Sequence, residues 1–261
     1  MSSTKDYFFE IEQERRDAWL QERLGVEELD DESEAYIQLA LEHANMMEAY
    51  AEEAEYRWLE RQSFHEQYID FGIDLRAAMD LMTQSQGAPH SAMICKLLYA
   101  HAVTLLETMI GTSVQALVVR DETFYLNIAK QMDLIHKSKK YSVSEIASHP
   151  KGLLGLTLKI LSELSYHNPA TINTVLCALI GDRMRGLDVS PIVTICQKRH
   201  DIVHRNGKTI DDQPIELTPM EVHLAMHTID AFASDVSRRI KAALADLDGS
   251  ELESQSRDVD F

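Results

Sequence analysis

Proline and glycine are scarce in this 261-residue chain, at six and ten residues, which speaks against many short strands joined by tight turns. Long helices are expected instead. Cysteine numbers three, and Cys95, Cys177 and Cys196 are scattered without C-x-x-C spacing, so a disulfide framework or zinc ribbon is not expected. The first 25 residues hold no apolar signal core. The most apolar run, residues 92–110, contains Lys96, His101 and Glu107, each costly at a bilayer centre. A cytoplasmic protein without a membrane span is the expectation. No G-x-S-x-G, P-loop, G-x-G-x-x-G or kinase-like set is present, leaving serine-elbow acyl transfer, P-loop hydrolysis and dinucleotide chemistry without support.

Positive charge is also in short supply, with 25 Lys and Arg against 43 Asp and Glu for a net charge of −18. That balance argues against indiscriminate nucleic-acid binding. The acidity is uneven, however, because residues 1–62 hold 18 acids and 6 bases. The remainder is mildly acidic, and its cations gather at Arg183, Arg185 and in the stretch Lys198-Arg199-His200-Asp201-Ile202-Val203-His204-Arg205-Asn206-Gly207. A local basic site on an acidic body is compatible with this pattern.

That stretch is expected at the C-terminal end of a helix. Ser190-Pro191 supplies a start, serine as acceptor and proline at the first helical position. Asn206-Gly207 supplies a stop, and Arg199, Arg205 and Lys208 sit where the negative end of the helix dipole favours cations. A basic, solvated helix terminus would satisfy the same pattern. Arg199 and His204 are five residues apart, so they point roughly 140° from one another. Two copies related by a two-fold axis would bring two Arg and two His over one phosphate. Histidine suits proton transfer near neutrality, and arginine offers a fixed fork of donors to phosphate.

The Arg-x4-His pattern of Arg199 and His204, followed by Arg205-Asn206-Gly207 and with polar His200 directly after the Arg, resembles the signature of the HEPN superfamily of small helical-bundle ribonucleases. The apolar helix carrying Tyr99 to Glu107 is similar to a "Leu-Glu" helix of that family, and the resemblance extends over about residues 65–246. It implies an all-α, dimeric endoribonuclease that needs no metal or other cofactor. The ribose 2′-OH would attack the adjacent phosphorus, leaving a 2′,3′-cyclic phosphate. His204 would act as general base or acid, Arg199 would hold the phosphate, and His200, Asp201 and Glu107 would orient them. Lys198, Arg205, Asn206 and Lys208 are the expected RNA contacts. The family context is that of toxins and antiviral defence effectors, with RNA, a second copy and an antitoxin or other protein on the acidic extension as partners. Asn206 stands where some members carry a tyrosine, so inactivation by modification of that tyrosine is not implied. A second class of reading is a HEPN-like bundle that binds nucleotide or RNA, or dimerises, without turnover.

Taken in order, residues 1–64 read as an acidic helical extension, 65–246 as the bundle and 247–261 as a disordered acidic tail. Residues 3–24 form an amphipathic helix with Phe8, Phe9, Ile11, Trp19 and Leu20. A long helix from Ser33 carries Ala40, Ala44, Met47, Ala51, Ala54 and Trp58 as a seam for the body or a second chain. Ile69, Ile73, Ala77 and Leu81 mark the next, and residues 92–119 the central one. Glu107 within it is either a surface residue near a bend at Gly111 or a hydrogen-bond partner for a cation of the motif helix. Further helices are read over 124–135, 144–164 and 169–180. His136 to Lys140 is read as a basic turn, either a solvated loop or, beside a nuclease site, a contact for an RNA backbone, and Tyr166-His167-Asn168-Pro169 as a turn. Thr218-Pro219-Met220-Glu221 combines a capping box with a first-turn proline. It opens a helix whose face of Val222, Met226, Ile229, Ala233, Val236 and Ile240, with that of the 92–119 helix, is expected to hold the dimer together.

One rival chemistry has a spacing in its favour. Cys196, His200 and His204 at i, i+4 and i+8 form a helical stripe suited to zinc, and His223 and His227 repeat the i, i+4 step. His200-Asp201-Ile202-Val203-His204 has Asp where the metalloprotease motif requires the longer Glu.

Overall fold

The structure, a computed structural model, describes residues 4–135 and 141–257. It is helical throughout, and among the described residues the β-type pairing is an isolated bridge between Lys208 and Pro214. Two compact units meet in sequence at Trp58 and Leu59, so the second begins earlier than residue 65.

The first unit consists of α1 (Thr4–Leu24) and α2 (Glu34–Glu60) up to Trp58. Gly25 closes α1 with φ +68°, a conformation costly for residues with a Cβ. Trp19 meets His43 edge-on, ring centroids 4.9 Å apart, while Arg23 lies 4.5 Å over the Trp19 ring. The expected α2 seam is not a buried one. Ala44, Met47, Ala51, Ala54 and Trp58 are exposed, and the half-buried face is that of Tyr36, Leu39, His43, Met46 and Ala49. Leu20 of α1 is buried and Phe9 is exposed.

The second unit is organised on α4 (Ser91–Arg120), against which α3 (Phe64–Gln84), α5 (Glu122–Lys130), α8 (Gly152–Glu163), α10 (Ser190–His204) and α11 (Pro219–Arg257) pack. The remaining elements are α6 (Met132–Ile135), α7 (Val143–Ser148), α9 (Pro169–Ile180) and a 3₁₀ turn at Gly181–Met184. α4 is long and apolar enough to cross a membrane by length and composition, yet 67% of its most apolar window is buried inside the protein. Leu106, Met109, Ile110 and Leu117 are fully buried, each contributing about 2 kcal/mol of transfer free energy.

Several sequence expectations need correcting here. The stripe Ile69, Ile73, Ala77 and Leu81 is the outward face of α3, whereas Phe64, Phe71, Leu75, Ala78 and Met82 pack inward. The helix read over 124–135 starts at Glu122, where Asp121 accepts from the Thr123 N–H, and breaks at Gln131. The 144–164 segment is two helices parted at His149–Lys151, with Gly152 at φ +55°. α11 stays helical to Arg257, into the expected tail, because beyond Gly249 the sequence is rich in residues that tolerate helix. The face from Val222 to Ile240 is buried within the protomer and so cannot supply attraction between copies. Exposed apolar side chains on the same helices are Met93 and Leu97 of α4 and Met220 and Leu224 of α11. The basic turn His136 to Lys140 and residues 258–261 lie outside the described residues.

Candidate functional site

α10 carries the motif, and local chemistry fixes both of its ends. At the start, the acceptor is Asp188, whose Oδ1 takes hydrogen bonds from the Ser190 N–H at 2.9 Å and the Ser190 hydroxyl at 2.6 Å; Ser190 is thus the donor in both. These bonds hold the Asp188 carboxyl below its usual range. At the end, Asn206 takes φ +53° and Gly207 φ +75°. The Gly207 N–H reaches back to the Ile202 carbonyl at 3.1 Å, the six-to-one bond of a Schellman closure with Asn206 as the left-handed residue. Asn206 therefore has a structural job beside any RNA contact.

Arg199 and His204 leave this helix in different directions. The Arg199 side chain is 14% exposed and faces Glu107 of α4, itself 19% exposed, with Nη2 3.9 Å from Oε2. This separation is a Coulombic contact and is too long for a hydrogen bond. Arg199 Nε and Glu107 Oε1 are shut off from solvent without a hydrogen-bond partner. Of the two readings of Glu107, the surface residue is excluded, and the hydrogen bond to a motif cation is replaced by a longer Coulombic contact with Arg199. Burial pushes its carboxyl above the ordinary value, and Arg199 and then His167 oppose that shift.

His204 ends α10 and is exposed, its ring 4.8 Å from that of His200, also exposed. Asp201 pairs with Arg205 one turn on. Lys208 pairs with Asp212 at 2.7 Å and Lys198 with Glu221 at 3.8 Å. Three of the expected RNA contacts thus already face a carboxylate, although all lie at the protein surface where such pairs are weak.

Two residues that the sequence reading did not select belong to this neighbourhood. His167, in the connection between α8 and α9, brings Nδ1 to 3.5 Å from Glu107 Oε1. Lys96, on α4, lies across Gly207: a Cβ there would stand 2.7 Å from Lys96 Nζ and 3.4 Å from its Cδ and Cε. Lys96 and Glu107 are eleven positions apart, a spacing that returns to nearly the same side of a helix; that periodicity was the available signal for Lys96. For His167 there was none, because only the fold joins it to Glu107.

The zinc stripe is not assembled. His204 is eight residues from Cys196, roughly 12 Å along a helix, and Cys196 is buried while both histidines are exposed. Burial pushes the Cys196 thiol up to about 12, Glu107 adding and Arg199 opposing. His223 and His227 face one another at 5.1 Å, and among the described residues no group of three His, Cys, Asp or Glu side chains converges on one point. Arg183 and Arg185 are engaged elsewhere: Arg183 pairs with Asp246, Arg185 with Asp182, and both carbonyls accept from Arg239. Comparison with protein-family models, with curated proteins and with solved structures found no match to this chain.

Proposed function

We propose that the protein is a HEPN-type endoribonuclease that needs no metal, acts as a homodimer in the cytoplasm, and serves as a toxin or antiviral defence effector. The observation that carries this reading is the pairing of Arg199 with Glu107 beside a helix end where His204 and His200 are open to solvent. An arginine facing a carboxylate from another helix is a preorganised electrostatic group, and an exposed histidine is accessible to a substrate. In the reaction proposed, the 2′-oxygen bonds to phosphorus as the bond from phosphorus to the 5′-oxygen breaks. One His204 takes the proton from the 2′-OH and the second copy's counterpart gives one to the leaving oxygen. Arg199 offsets charge developing on the phosphoryl oxygens. His200, Asp201 and Glu107 orient these groups, while Lys198, Arg205, Asn206 and Lys208 line the RNA's approach. The acidic first unit would receive an antitoxin or another protein.

The same pairing supports a second reading, a bundle that binds RNA or nucleotide without cleaving it. Arg199 is mostly buried and faces a carboxylate, so a phosphate must compete with Glu107 for it. One experiment separates the two: incubation of purified wild type, Arg199→Ala and His204→Ala with labelled RNA in the presence of EDTA. Cleavage by the wild type alone, with cyclic phosphate ends, supports the nuclease. Cleavage that survives both substitutions, or that EDTA abolishes, rejects it, and RNA bound but intact favours the binder.

A further inference from the structure

The connection between α8 and α9 is held against α4 by a packing arrangement that ends at Glu107. Tyr166 is 7% exposed, and its ring lies so close to α4 that a Cβ on Gly111 would stand 3.2 Å from Cε2 and 3.3 Å from Cδ2. Any larger residue at Gly111 would push the ring outward. Gly111 is one helical turn from Glu107, and the residue after Tyr166 is His167, whose Nδ1 stands 3.5 Å from Oε1. The loop is closed on itself as well. The Asn168 N–H donates to the Ser165 carbonyl at 3.2 Å, and the Asn168 side chain accepts from the Ala170 N–H at 3.0 Å, starting α9. Ser165 Oγ stands 2.8 Å from His167 Nδ1 and 2.9 Å from Nε2. The hydroxyl thus holds the ring beside the carboxylate from either nitrogen.

Glu107 therefore sits between two cationic or donor groups from distant parts of the chain, Arg199 on Oε2 and His167 on Oε1. A carboxylate contacted on one oxygen alone can rotate about its last bond, since that torsion is broad. A Coulombic neighbour on each oxygen, His167 at 3.5 Å and Arg199 at 3.9 Å, restricts that rotation. We infer that His167 is a positioning residue of the Arg199 site: by engaging Oε1 it keeps Oε2 turned to Arg199, and so fixes the direction in which the guanidinium is presented to a phosphate. The consequence for cleavage rests on the nuclease reading; the geometric part does not. What the role requires is a polar N–H group near the place where Nδ1 stands, 3.5 Å from Oε1. Asparagine places its amide nitrogen near that point and is the conservative replacement, whereas alanine offers nothing.

The test has two arms. In the first, ¹⁵N-labelled full-length wild type, His167→Ala, His167→Asn and Gly111→Ala are compared by the Arg199 Nε–H resonance, assigned through its loss in Arg199→Lys. His167→Ala is expected to move that resonance in the same sense as Glu107→Gln, Gly111→Ala to follow it by displacing Tyr166 and its neighbour, and His167→Asn to leave it near the wild-type position. An unmoved resonance in His167→Ala overturns the inference, as does a His167→Asn protein that behaves like the alanine variant. Circular dichroism confirms that each variant is folded; a His167→Ala protein that does not fold leaves Gly111→Ala and His167→Asn to decide, by the same criteria. In the second arm, cleavage of an RNA oligonucleotide by His167→Ala is expected to lose roughly 10- to 100-fold in kcat, the range typical of groups that orient a ligand from behind. KM should change little, since an interaction made in the transition state is the one lost. Unchanged kcat overturns the inference. If wild type cleaves no RNA, the nuclease reading fails while the resonance arm still decides whether His167 orients Arg199.

Discussion

Arg199 and His204, five residues apart on α10, occupy opposite environments: the arginine is 14% exposed against Glu107, and the histidine is exposed at the helix end with its ring 4.8 Å from His200. One protomer therefore splits the two groups that phosphate chemistry would need together. If two copies share sites, Arg199→Ala and His204→Ala proteins, each inactive alone, should regain part of the wild-type RNA cleavage when mixed and allowed to exchange subunits. Light scattering should show a dimer, and a stable monomer that cleaves RNA would contradict the shared site.

The burial of the α11 face from Val222 to Ile240 leaves Met220 and Leu224, 77% and 66% exposed, as apolar surface next to α10. Met220→Glu with Leu224→Glu should convert the proposed dimer to monomer without a loss of thermal stability beyond about 0.5 kcal/mol, as is usual for surface positions. Sedimentation of the double variant checks this, and a dimer unaffected by both charges assigns the interface elsewhere.

Glu107 gives stability a pH dependence of defined sign. Burial raises its folded-state pKa above the ordinary 4.5, against the smaller opposing influence of Arg199 and His167. Between these two values the folded protein holds a proton that the unfolded chain has lost, so this group makes stability fall as pH rises through that window. Glu107→Gln abolishes the titration. Urea unfolding from about pH 4 to about pH 7 should show the wild type losing stability relative to Glu107→Gln across that interval. Parallel curves would mean that the carboxylate is not desolvated.

The start of α11 gives the opposite sign. The Thr218 N–H and hydroxyl donate to Glu221 Oε2 at 2.8 and 2.9 Å, and Thr218 Oγ1 accepts from the Glu221 N–H at 3.2 Å. Those bonds, with a smaller contribution from Lys198, hold the Glu221 carboxyl below its ordinary 4.5. Their stabilisation is present above that value and is lost as pH falls through the lowered one. Thr218→Ala should cost about 1 kcal/mol at neutral pH, with a smaller cost in acid. Thermal melts at both conditions read the difference.

Gly207 combines φ +75° with the Lys96 side chain across it. Gly207→Ala should destabilise by about 1–2 kcal/mol for the left-handed backbone alone, with an added contribution from crowding Lys96. The double variant Lys96→Ala/Gly207→Ala should recover the crowding part and leave the backbone part. Denaturant titration of the four-member cycle measures both; strict additivity would show that Lys96 yields freely.

What the sequence made legible was local. Pro191 and the Asn206-Gly207 pair bracketed α10, and Thr218 through Glu221 marked the start of α11, because caps and turns act within a few residues. The all-helical class followed from scarce glycine and proline. Faces were harder. Ile69, Ile73, Ala77 and Leu81 make a clean four-residue stripe, but α4 and α11 pack on the side of α3 that carries Phe71, Leu75 and Met82, a choice made by the larger side chains and by tertiary neighbours. In the candidate site, Arg199 and Glu107 were recognisable as a cation and a carboxylate in need of partners. His167 was not, since sixty residues separate it from Glu107 and nothing nearby in sequence signals their meeting.

Lys96 and Glu107 stand roughly 16 Å apart along α4 and within roughly 20° of one another around it, while their counterparts Gly207 and Arg199 succeed one another along α10 and its closing turn. The two helices thus meet like a key with two differently cut teeth. Slide α10 by one turn in either direction and the residue brought to Glu107 is Ile195 or Val203, each unable to answer a desolvated carboxylate. At the other end the ammonium group would leave the narrow seat that Gly207 provides. Registration of the motif helix is therefore encoded by penalties at both ends, so that the height at which Arg199 and the terminal His204 are presented is set by the fold itself.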